Sequence, residues 1–574
     1  MRINAAPFLR HTGAFIKKVF VRKQESKVLL QQSDTSATFA FACLWIAVVA
    51  ICCLALLIVV PPSTKSPAAI WRQILRLILH KGRRCKGELT GLVFPTRPAD
   101  LLGPGGAAWL TRLLRHNGHL PGQMRVSCAV PTGANIRDGV KGDKVILELT
   151  YGGWDRRDEA AAAKLPKRLF CKFGLQARSP MRLLCDLSHV AMCESLFYHH
   201  LASAASVPSP RAYFADYSSL SGESCLISDV IHFELPPKHR IRDAPLLEEH
   251  RAFVVEGGTL NAKCWLSRPA SGREEGKEPQ QAAGTTEGTE PKKSARAGPL
   301  EPLRPADAPP IPLERMPRFD EKNSNFWVLV QLIGRLGLHR TVRKMHRGRP
   351  MANRAFATWE APAGLVGREA ELISDMPDLL RSLCADEGML AYGHNDITTD
   401  NAYFWREVAG DGDGGGGGRL RFGLVDWQQA CVNNVGQEWA WNLHFLPPEF
   451  LTAHEDELIT LLLRTYAEHG VHISRRRFLR AYVLGTVQMY VFGGGGLQML
   501  LSKLEAKGLL ASLVPDDPRC RGGDAAPGVD DETLEQLVGA EMTRRTFTNC
   551  CNIMRRHDFV GEWRQWKEAS RSSA

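Results

Sequence analysis

Two patterns of apolar residues divide most of the chain into a strand-rich stretch followed by a helix-rich stretch. Short segments with alternating or consecutive apolar, β-branched and aromatic residues predict β-strands, and they lie at residues 124–132, 143–151, 168–175, 210–217 and 224–231. Apolar residues at helical spacing predict one helix before the strands, at 107–118, and another among them, at 187–204. Strands, a helix and further strands in close succession predict a small α+β unit.

Helical spacing dominates the remainder of the chain, from about Phe319. We expect helices at 455–470, 474–492 and 533–554 in this part, and one more at 244–265 before it. The four glycines Gly493–Gly496 interrupt this pattern, and we expect a flexible bend there rather than a phosphate-binding loop, because no strand precedes them. The exception is 402–429, where two strand-like runs flank a glycine-rich connector and predict a β-hairpin.

One segment near the start of the chain is apolar throughout. Residues 37–60 contain no charged side chain, and about 20 apolar residues suffice for a helix to cross a bilayer. A buried core helix is the alternative, but the two prolines that follow and the basic flanks favour membrane insertion. Cations lie on both sides, so the positive-inside rule leaves the orientation open.

We therefore divide the N-terminal region into a basic tail at 1–36, a transmembrane helix at 37–60 and an amphipathic juxtamembrane linker at 61–93. The basic tail could belong to an organelle-targeting sequence. The expected location is a single-pass position in an endomembrane or organelle membrane.

Composition narrows the classes of partner only slightly. Hydrophobic residues make up 44% and charged residues 23% of the 574 positions, which is ordinary for a globular protein. The net charge of +12 is spread along the chain without an RNA-binding, zinc-finger or long basic motif, so we expect no nucleic-acid partner. None of the 15 cysteines forms a C-x-x-C pair, which favours reduced thiols.

Composition also suggests the domain boundaries. Residues 267–318 are rich in Pro, Gly, Glu, Lys and Ser, and they cannot bury enough apolar surface to fold, so we predict a disordered insertion there. On either side we place a β-rich unit at 94–232, a connecting helical region at 233–266 and a mainly helical unit at 319–574. We expect the chain to be a monomer.

The candidate chemistry lies in and after the stretch GHNDITTDN, which precedes the predicted hairpin. Asn401 begins the first strand of that hairpin and Asp426 ends the second, so antiparallel pairing should bring them together, close to Asp396 on the preceding loop. Carboxylate and amide oxygens suit a hard cation such as Mg²⁺. His394, Asp396 and Asn401 also have the H-x-D-x-x-x-x-N spacing with which protein kinases orient the acceptor hydroxyl and hold metal.

These motifs resemble those of the aminoglycoside phosphotransferase and choline kinase-like family, and most closely its ecdysteroid kinase-like branch. YGHNDITTDNAYFW resembles the family's catalytic loop, GLVDWQQA its metal motif and LFCKFG its lysine-bearing strand. The resemblance extends from about Phe94 to the end of the chain, apart from the insertion. It implies a two-lobed protein kinase-like fold of class α+β, with a small β-rich N-lobe and a mainly helical C-lobe, preceded by the transmembrane helix.

The resemblance also assigns roles to individual residues. Asp396 would accept or orient the proton of the acceptor hydroxyl, and His394 would support the loop by hydrogen bonding. Asn401 and Asp426 would hold Mg²⁺. ATP would contact Lys172, held by Glu194, and its adenine would meet the backbone of a hinge formed by Ser228, Asp229 and Val230.

Four positions or segments depart from the family pattern. Asn395 stands where Gly is usual, Asn261 where His is usual and Glu438 where Asp is common, and residues 131–143 do not form a clean glycine-rich phosphate loop. Three tryptophans near the motifs, Trp427, Trp439 and Trp441, are expected in the core rather than in a ligand cage.

The expected activity is ATP- and Mg²⁺-dependent phosphorylation of a hydroxyl on a small molecule. Protein phosphorylation is less favoured because no D-F-G or A-P-E element is present. The alternatives are a catalytically inactive kinase-like module that binds a nucleotide or another ligand at a membrane, and a structural membrane protein that binds no nucleotide.

Overall fold

The computed structural model describes part of the chain. The described residues are 79–80, 83–120, 122–132, 143–153, 159–175, 185–186, 188–203, 205–231, 247–266, 313, 316–324, 327, 339–340, 342–343, 359–360, 362–398, 401–406, 420–514, 517–521 and 529–572. The predicted basic tail at 1–36, the predicted transmembrane helix at 37–60 and most of the predicted linker and insertion lie outside them. Within the described ranges, no helix is both long and apolar enough to cross a membrane.

The protein is a mixed α+β structure with a five-stranded antiparallel sheet, as predicted. All five predicted strands are confirmed, as β1 Arg125–Pro131, β2 Lys144–Gly152, β3 Arg168–Phe173, β4 Ala212–Tyr217 and β5 Ser224–Asp229. Their spatial order in the sheet is β1-β2-β3-β5-β4. A short helix α2, Glu159–Ala162, lies between β2 and β3.

Helices cover the two faces of this sheet. Helix α1, Gly103–His116, packs on one face, where Leu110 and Leu114 join the buried side chains of the strands. Helix α3, Val190–His200, lies on the other face. Because side chains alternate along a strand, Cys171 points into the α1 cluster and Lys172 points toward α3. Both helices match the predicted ones.

The packed region begins before Phe94, where we place the start of the β-rich unit. The carboxylate of Asp216 on β4 accepts hydrogen bonds from the backbone N–H groups of Leu89, at 3.1 Å, and Thr90, at 2.9 Å. The backbone N–H of Glu88 donates to the carbonyl of Tyr217. This turn, which we assign from sequence to the juxtamembrane linker, is therefore part of the folded sheet unit.

The rest of the described chain is mainly helical. Its helices are α4 Leu247–Lys263, α5 Glu369–Cys384, α6 Val435–Leu443, α7 Pro448–Glu468, α8 Arg475–Gly485, α9 Val487–Ala506, α10 Asp531–Arg556 and α11 Phe559–Ser572. The prediction of a single helix at 474–492 is wrong, because the helix is interrupted at Thr486, which separates α8 from α9. The break adjoins Gly485, where α8 crosses α6 so closely that a Cβ would lie 2.6 Å from the Cα of Gln437.

The bend predicted at Gly493–Gly496 is also wrong, because α9 continues through the four glycines. Helix α10 packs against them, and a Cβ on Gly494 would lie 2.9 Å from the ring of Phe547. Each glycine costs a helix about 1 kcal/mol relative to alanine. Close packing against α10 offsets that cost, and the sequence pattern of α9 alone does not show it.

Two small antiparallel sheets occupy the region between α5 and α6. The predicted hairpin is confirmed as β7, Ala402–Arg406, paired with β8, Leu420–Leu424. The other sheet pairs β6, Leu390–Gly393, with β9, Cys431–Asn434, and the sequence analysis did not predict it. The backbone N–H of Val432 on β9 also donates to the carbonyl of Pro317. Residues 316–318, which we assign to the insertion, thus pack against the folded part of the chain.

Candidate functional site

The loop between β6 and β7 carries the residues of the H-x-D-x-x-x-x-N motif and lies beside the end of β8. His394 and Val425 are joined by a 2.9 Å hydrogen bond from the imidazole Nε2 to the Val425 carbonyl. The backbone N–H of Val425 donates to the carbonyl of Asn401 at 2.9 Å. Asp426 follows directly, with a φ of 61° in the left-handed region. The hairpin therefore brings Asp426 to the loop that carries the H-x-D-x-x-x-x-N motif, as the sequence predicts.

Lys172 links the sheet to this loop. Its ammonium lies 2.9 Å from the carboxylate of Glu194 on α3 and 2.9 Å from the carboxylate of Asp426. Lys172 and Glu194 are buried, whereas the Asp426 side chain is partly exposed. Burial alone would lower the pKa of Lys172, but the carboxylates of Asp426 and Glu194 outweigh it and leave that pKa raised. The lysine is therefore a fixed cation between two acidic groups.

Asp396 is held at both carboxylate oxygens. Asn401 donates from Nδ2 to Oδ2 of Asp396 at 3.1 Å and to its backbone carbonyl at 2.8 Å. The indole Nε1 of Trp441 donates to Oδ1 at 3.0 Å. With its amide nitrogen directed at Asp396, Asn401 has its side-chain oxygen on the opposite side of the amide group.

Asp426 and Asn401 carry oxygen donors of the kind that a Mg²⁺ ion uses. The part of the chain that the structure describes contains no cluster of three or more His, Cys, Asp or Glu side chains that could hold a metal. Mg²⁺, however, typically takes one or two protein carboxylates and completes its octahedron with phosphate oxygens and water. Asp426 and the amide oxygen of Asn401 provide donors of that kind, next to the cation Lys172.

An aromatic stack connects α3 with the loop. Phe197, one turn after Glu194, stacks on Trp427 with ring centroids 3.5 Å apart and planes inclined by 8°. The ring of His394 also meets Trp427, edge-on, with ring centroids 4.6 Å apart. Burial lowers the pKa of His394 to about 4, so its imidazole is neutral at pH 7. As a neutral donor, it joins the loop to the Val425 carbonyl.

Glu438 lies beneath the same loop as a buried acceptor. It accepts hydrogen bonds from the backbone N–H of Asn395 at 3.1 Å and from Nδ2 of Asn261 at 2.9 Å. A Cβ on Gly393 would lie 2.0 Å from the Glu438 carboxylate, so only glycine leaves room for it. Burial raises the pKa of Glu438 to about 7. Two of the departures from the family pattern, Asn261 and Glu438, thus contact each other.

The third departure, Asn395, has a conformational explanation. Its φ of 58° lies in the left-handed region, where Gly is easiest and Asn is among the best-tolerated alternatives. Its Nδ2 donates to the carbonyls of Gly393 and Cys431, each at 3.0 Å, and its Oδ1 accepts from Asn433 at 2.7 Å. The side chain is therefore fully engaged between β6 and β9.

The three residues predicted to form the hinge, Ser228, Asp229 and Val230, lie apart from this cluster. Ser228 and Asp229 end β5, opposite Phe170 and Leu169, whereas Leu226 is the residue opposite Lys172. The Asp229 carboxylate accepts a 2.7 Å hydrogen bond from the hydroxyl of Tyr213. Ser228, Asp229 and Val230 are thus at the exit from the strand next to β3, and their side chains do not join the groups around Asp426.

Two features of the site escaped the sequence analysis. Trp427 and Trp439 are buried as expected, but Trp441 is only partly buried and contacts Asp396, so its prediction as a core residue is wrong. Lys322 is buried, and its ammonium donates to the Gln429 side chain at 2.6 Å and to the Gln429 carbonyl at 3.2 Å, within the segment GLVDWQQA. No local signal marks Lys322, because its partners lie more than one hundred residues away.

Comparison with models of protein families gives no match, and comparison with curated proteins gives none either.

Proposed function

We propose that the protein is an ATP- and Mg²⁺-dependent phosphotransferase that phosphorylates a hydroxyl group of a small molecule. One observation carries the proposal. The ammonium of Lys172 contacts Glu194 and Asp426, the latter 254 positions away in sequence, beside a loop in which Asp396 and Asn401 are hydrogen-bonded. A buried lysine–glutamate pair, a metal-binding carboxylate and a hydroxyl-orienting aspartate form the set of groups that phosphoryl transfer requires.

The proposed fold is the two-lobed protein kinase-like fold, and the proposed relatives are the aminoglycoside phosphotransferase and choline kinase-like proteins, with the ecdysteroid kinase-like branch nearest. The five-stranded sheet with α3 would correspond to the N-lobe, α4 to the connecting region, and the helices from α5 onward to the C-lobe. A single membrane-spanning helix at 37–60 would anchor the protein, as we infer from its uninterrupted apolar sequence.

Each residue has one task in the proposed mechanism. Bound Mg²⁺–ATP supplies the transferable phosphoryl group and the neutralisation of its charge. Lys172, fixed by Glu194, would bind the α- and β-phosphates. Asn401 and Asp426 would hold the cation, and Asp396 would orient the acceptor hydroxyl and take its proton. His394 keeps the end of β8 and the loop in register. The acceptor classes that this site could serve are amino alcohols, steroids, sugars and antibiotic-like alcohols.

Nucleotide binding provides the first test. ATP with Mg²⁺ should raise the melting temperature of the full-length chain, and ATP without Mg²⁺ should raise it less. Asp426→Ala should remove the contribution of Mg²⁺, because the metal loses its carboxylate. Asp456→Ala is a suitable control, since Asp456 is an exposed carboxylate on α7. A wild-type protein that ATP and Mg²⁺ do not stabilise at all would contradict the proposal.

A second candidate function is a catalytically inactive module that binds a nucleotide or another ligand. The absence of a clean glycine-rich sequence at 131–143, between the first two strands, favours it. A screen of hydroxyl acceptors with radiolabelled ATP distinguishes the two functions. Turnover that Asp396→Ala abolishes supports the phosphotransferase, and Mg²⁺-dependent ATP binding without turnover supports the inactive module.

A further inference from the structure

Trp441 occupies an unusual position among the tryptophans near the site. Trp427 and Trp439 are fully buried, but Trp441 on α6 is only partly buried. Its indole Nε1 donates a 3.0 Å hydrogen bond to Oδ1 of Asp396. An indole N–H is a neutral donor with a rigid direction, so it can orient a carboxylate without adding a charge. The intervening loop residues, 397–400, contribute no lysine or arginine that could do so.

Two donors together define the orientation of the Asp396 carboxylate. Asn401 occupies Oδ2 at 3.1 Å, and Trp441 occupies Oδ1. An aspartate side chain otherwise samples three staggered wells about χ1 and a broad range about χ2. With one donor at each oxygen, the carboxylate plane is fixed relative to the loop. Loss of the Trp441 donor would remove the hydrogen bond at Oδ1 and leave the Asn401 hydrogen bond at Oδ2.

Helix α6 is a firm support for this contact. Its residue Asn442 accepts a 2.9 Å hydrogen bond from the backbone N–H of Ile397, the residue after Asp396. The indole of Trp439 is held by Asn261 at 3.0 Å and by Tyr466 at 2.9 Å. The same helix therefore positions the backbone of the loop and, through Trp441, the side chain of Asp396.

We propose that Trp441 is a positioning residue for phosphoryl transfer, and that it acts by holding Asp396 in the orientation that receives the acceptor hydroxyl. This inference rests on the proposed phosphotransferase function. Orientation of a reacting group contributes substantially to rate, and misplacement by about 1 Å can cost roughly 100-fold. Trp441 should therefore affect the rate of transfer rather than the affinity for ATP, whose phosphates are bound by Lys172 and the metal.

The test is hydrolysis of Mg²⁺–ATP at pH 8, with water as the acceptor, by the full-length chain. Trp441→Phe keeps an aromatic ring but removes the N–H, and we expect kcat to fall about 10-fold or more while the KM for ATP changes less than about twofold. Trp441→His places its Nε2 at the position of the indole nitrogen, and it should recover most of the lost kcat. Trp109→Phe removes an equivalent indole hydrogen bond, to the Val93 carbonyl in the sheet unit, and should leave kcat unchanged.

The outcomes separate this inference from the proposed function. Wild-type hydrolysis that Asp396→Ala lowers but Trp441→Phe does not would overturn the role of Trp441 and leave the phosphotransferase standing. Equal losses of kcat in Trp441→Phe and Trp441→His would also overturn it, because the bulk of the indole would then matter rather than its N–H. Hydrolysis that Asp396→Ala does not lower would overturn both.

Discussion

Asn395 combines a backbone conformation and a set of hydrogen bonds that few residues could provide together. Its left-handed φ of 58° costs most L-residues about 1 to 2 kcal/mol. The hydrogen bonds of its side-chain amide with Gly393, Cys431 and Asn433 join β6 to β9. The sequence identifies the position as a departure from the glycine of related motifs. The reason that Asn serves there depends on β9, which lies almost 40 residues further along the chain.

Substitution of Asn395 should separate these two contributions. Asn395→Gly retains the conformation and loses the side-chain hydrogen bonds, so we expect the free energy of unfolding to fall by about 1 to 2 kcal/mol. Asn395→Ala loses the bonds and adds backbone strain, and we expect a fall of about 2 to 4 kcal/mol. Urea unfolding of both variants measures the difference. Equal destabilisation by the two substitutions would contradict a role for the left-handed conformation.

Glu438 should make stability depend on pH in a defined range. Burial raises its pKa from 4.5 to about 7. Between these two pH values the unfolded chain releases the proton while the folded protein keeps it, so the stability contributed by protonated Glu438 is complete below pH 4.5 and is lost as pH rises to about 7. A shift of this size corresponds to on the order of 3 kcal/mol.

The variant Glu438→Gln cannot titrate, so it isolates this effect. We expect its free energy of unfolding, minus that of the wild type, to increase steadily from pH 4.5 to about 7 and to be constant above that. Chemical denaturation at a series of pH values provides the measurement. Glu468→Gln, at an exposed site on α7, should give a flat difference. A flat difference for Glu438→Gln as well would show that the buried carboxyl keeps an ordinary pKa.

At the scale of secondary-structure elements, the crossing of α6 and α8 positions the helix that supports the loop. A Cβ on Gly436 would lie 2.6 Å from the Cβ of Ala481, and one on Gly485 would lie 2.6 Å from the Cα of Gln437. Glycine at both points of contact lets the two helices approach at backbone distance. Helix α6 can then carry Glu438, Trp441 and Asn442 to the loop.

Two glycine-to-alanine substitutions should therefore act in opposite directions. Gly485→Ala must push the backbone of α6 away, and we expect a loss of about 1 to 3 kcal/mol in the free energy of unfolding. Gly496→Ala in α9 meets only the methyl group of Thr543 at 3.6 Å, so the gain in helix propensity should dominate, at about 0.5 to 1 kcal/mol. Thermal and urea unfolding of both variants provide the test, and a loss of stability in Gly496→Ala would show that α9 requires its glycines for another reason.

The same elements show which parts of the fold can be predicted. The five strands of the large sheet and the hairpin have alternating or consecutive apolar residues bounded by turn-forming residues, and this local signal is sufficient. Strands β6 and β9 have only four residues each and pair across about 40 positions, so their hydrogen bonds leave no local pattern. The break at Thr486 and the continuity of α9 through its glycines depend on neighbouring helices, which a pattern within one segment does not reveal.

At the scale of the whole molecule, the sheet unit and the helical part meet at the candidate site. Lys172 contacts Asp426 at 2.9 Å, Phe197 stacks on Trp427, and the backbone N–H of Leu424 donates to the carbonyl of Pro208 at 2.9 Å. Spacing within the chain predicts the hairpin pairing that joins Asn401 and Asp426. It does not predict Trp441 or Lys322, because those residues reach the site through tertiary packing alone.

The stack of Phe197 on Trp427 should couple the position of α3 to nucleotide binding. Phe197→Ala removes a fully buried ring, and we expect it to lower the free energy of unfolding by about 3 to 4 kcal/mol. Because Glu194 lies on the same helix and fixes Lys172, the variant should also lose affinity for Mg²⁺–ATP. We expect a loss of roughly tenfold, which corresponds to about 1.4 kcal/mol of binding free energy. Isothermal titration calorimetry, under conditions in which the variant remains folded, measures that loss.

Phe478→Ala provides the matched control, since it removes an equally buried ring from α8, away from α3. It should destabilise the protein by a similar amount and leave ATP affinity unchanged. If both variants lose ATP affinity equally, the effect reflects general loss of stability, and the stack has no specific role. If only Phe197→Ala loses affinity, the contact between the sheet unit and the helical part controls the position of Lys172. Helix α3 would then position the lysine in two ways, directly through Glu194 and indirectly through the stack of Phe197 on Trp427, which follows Asp426.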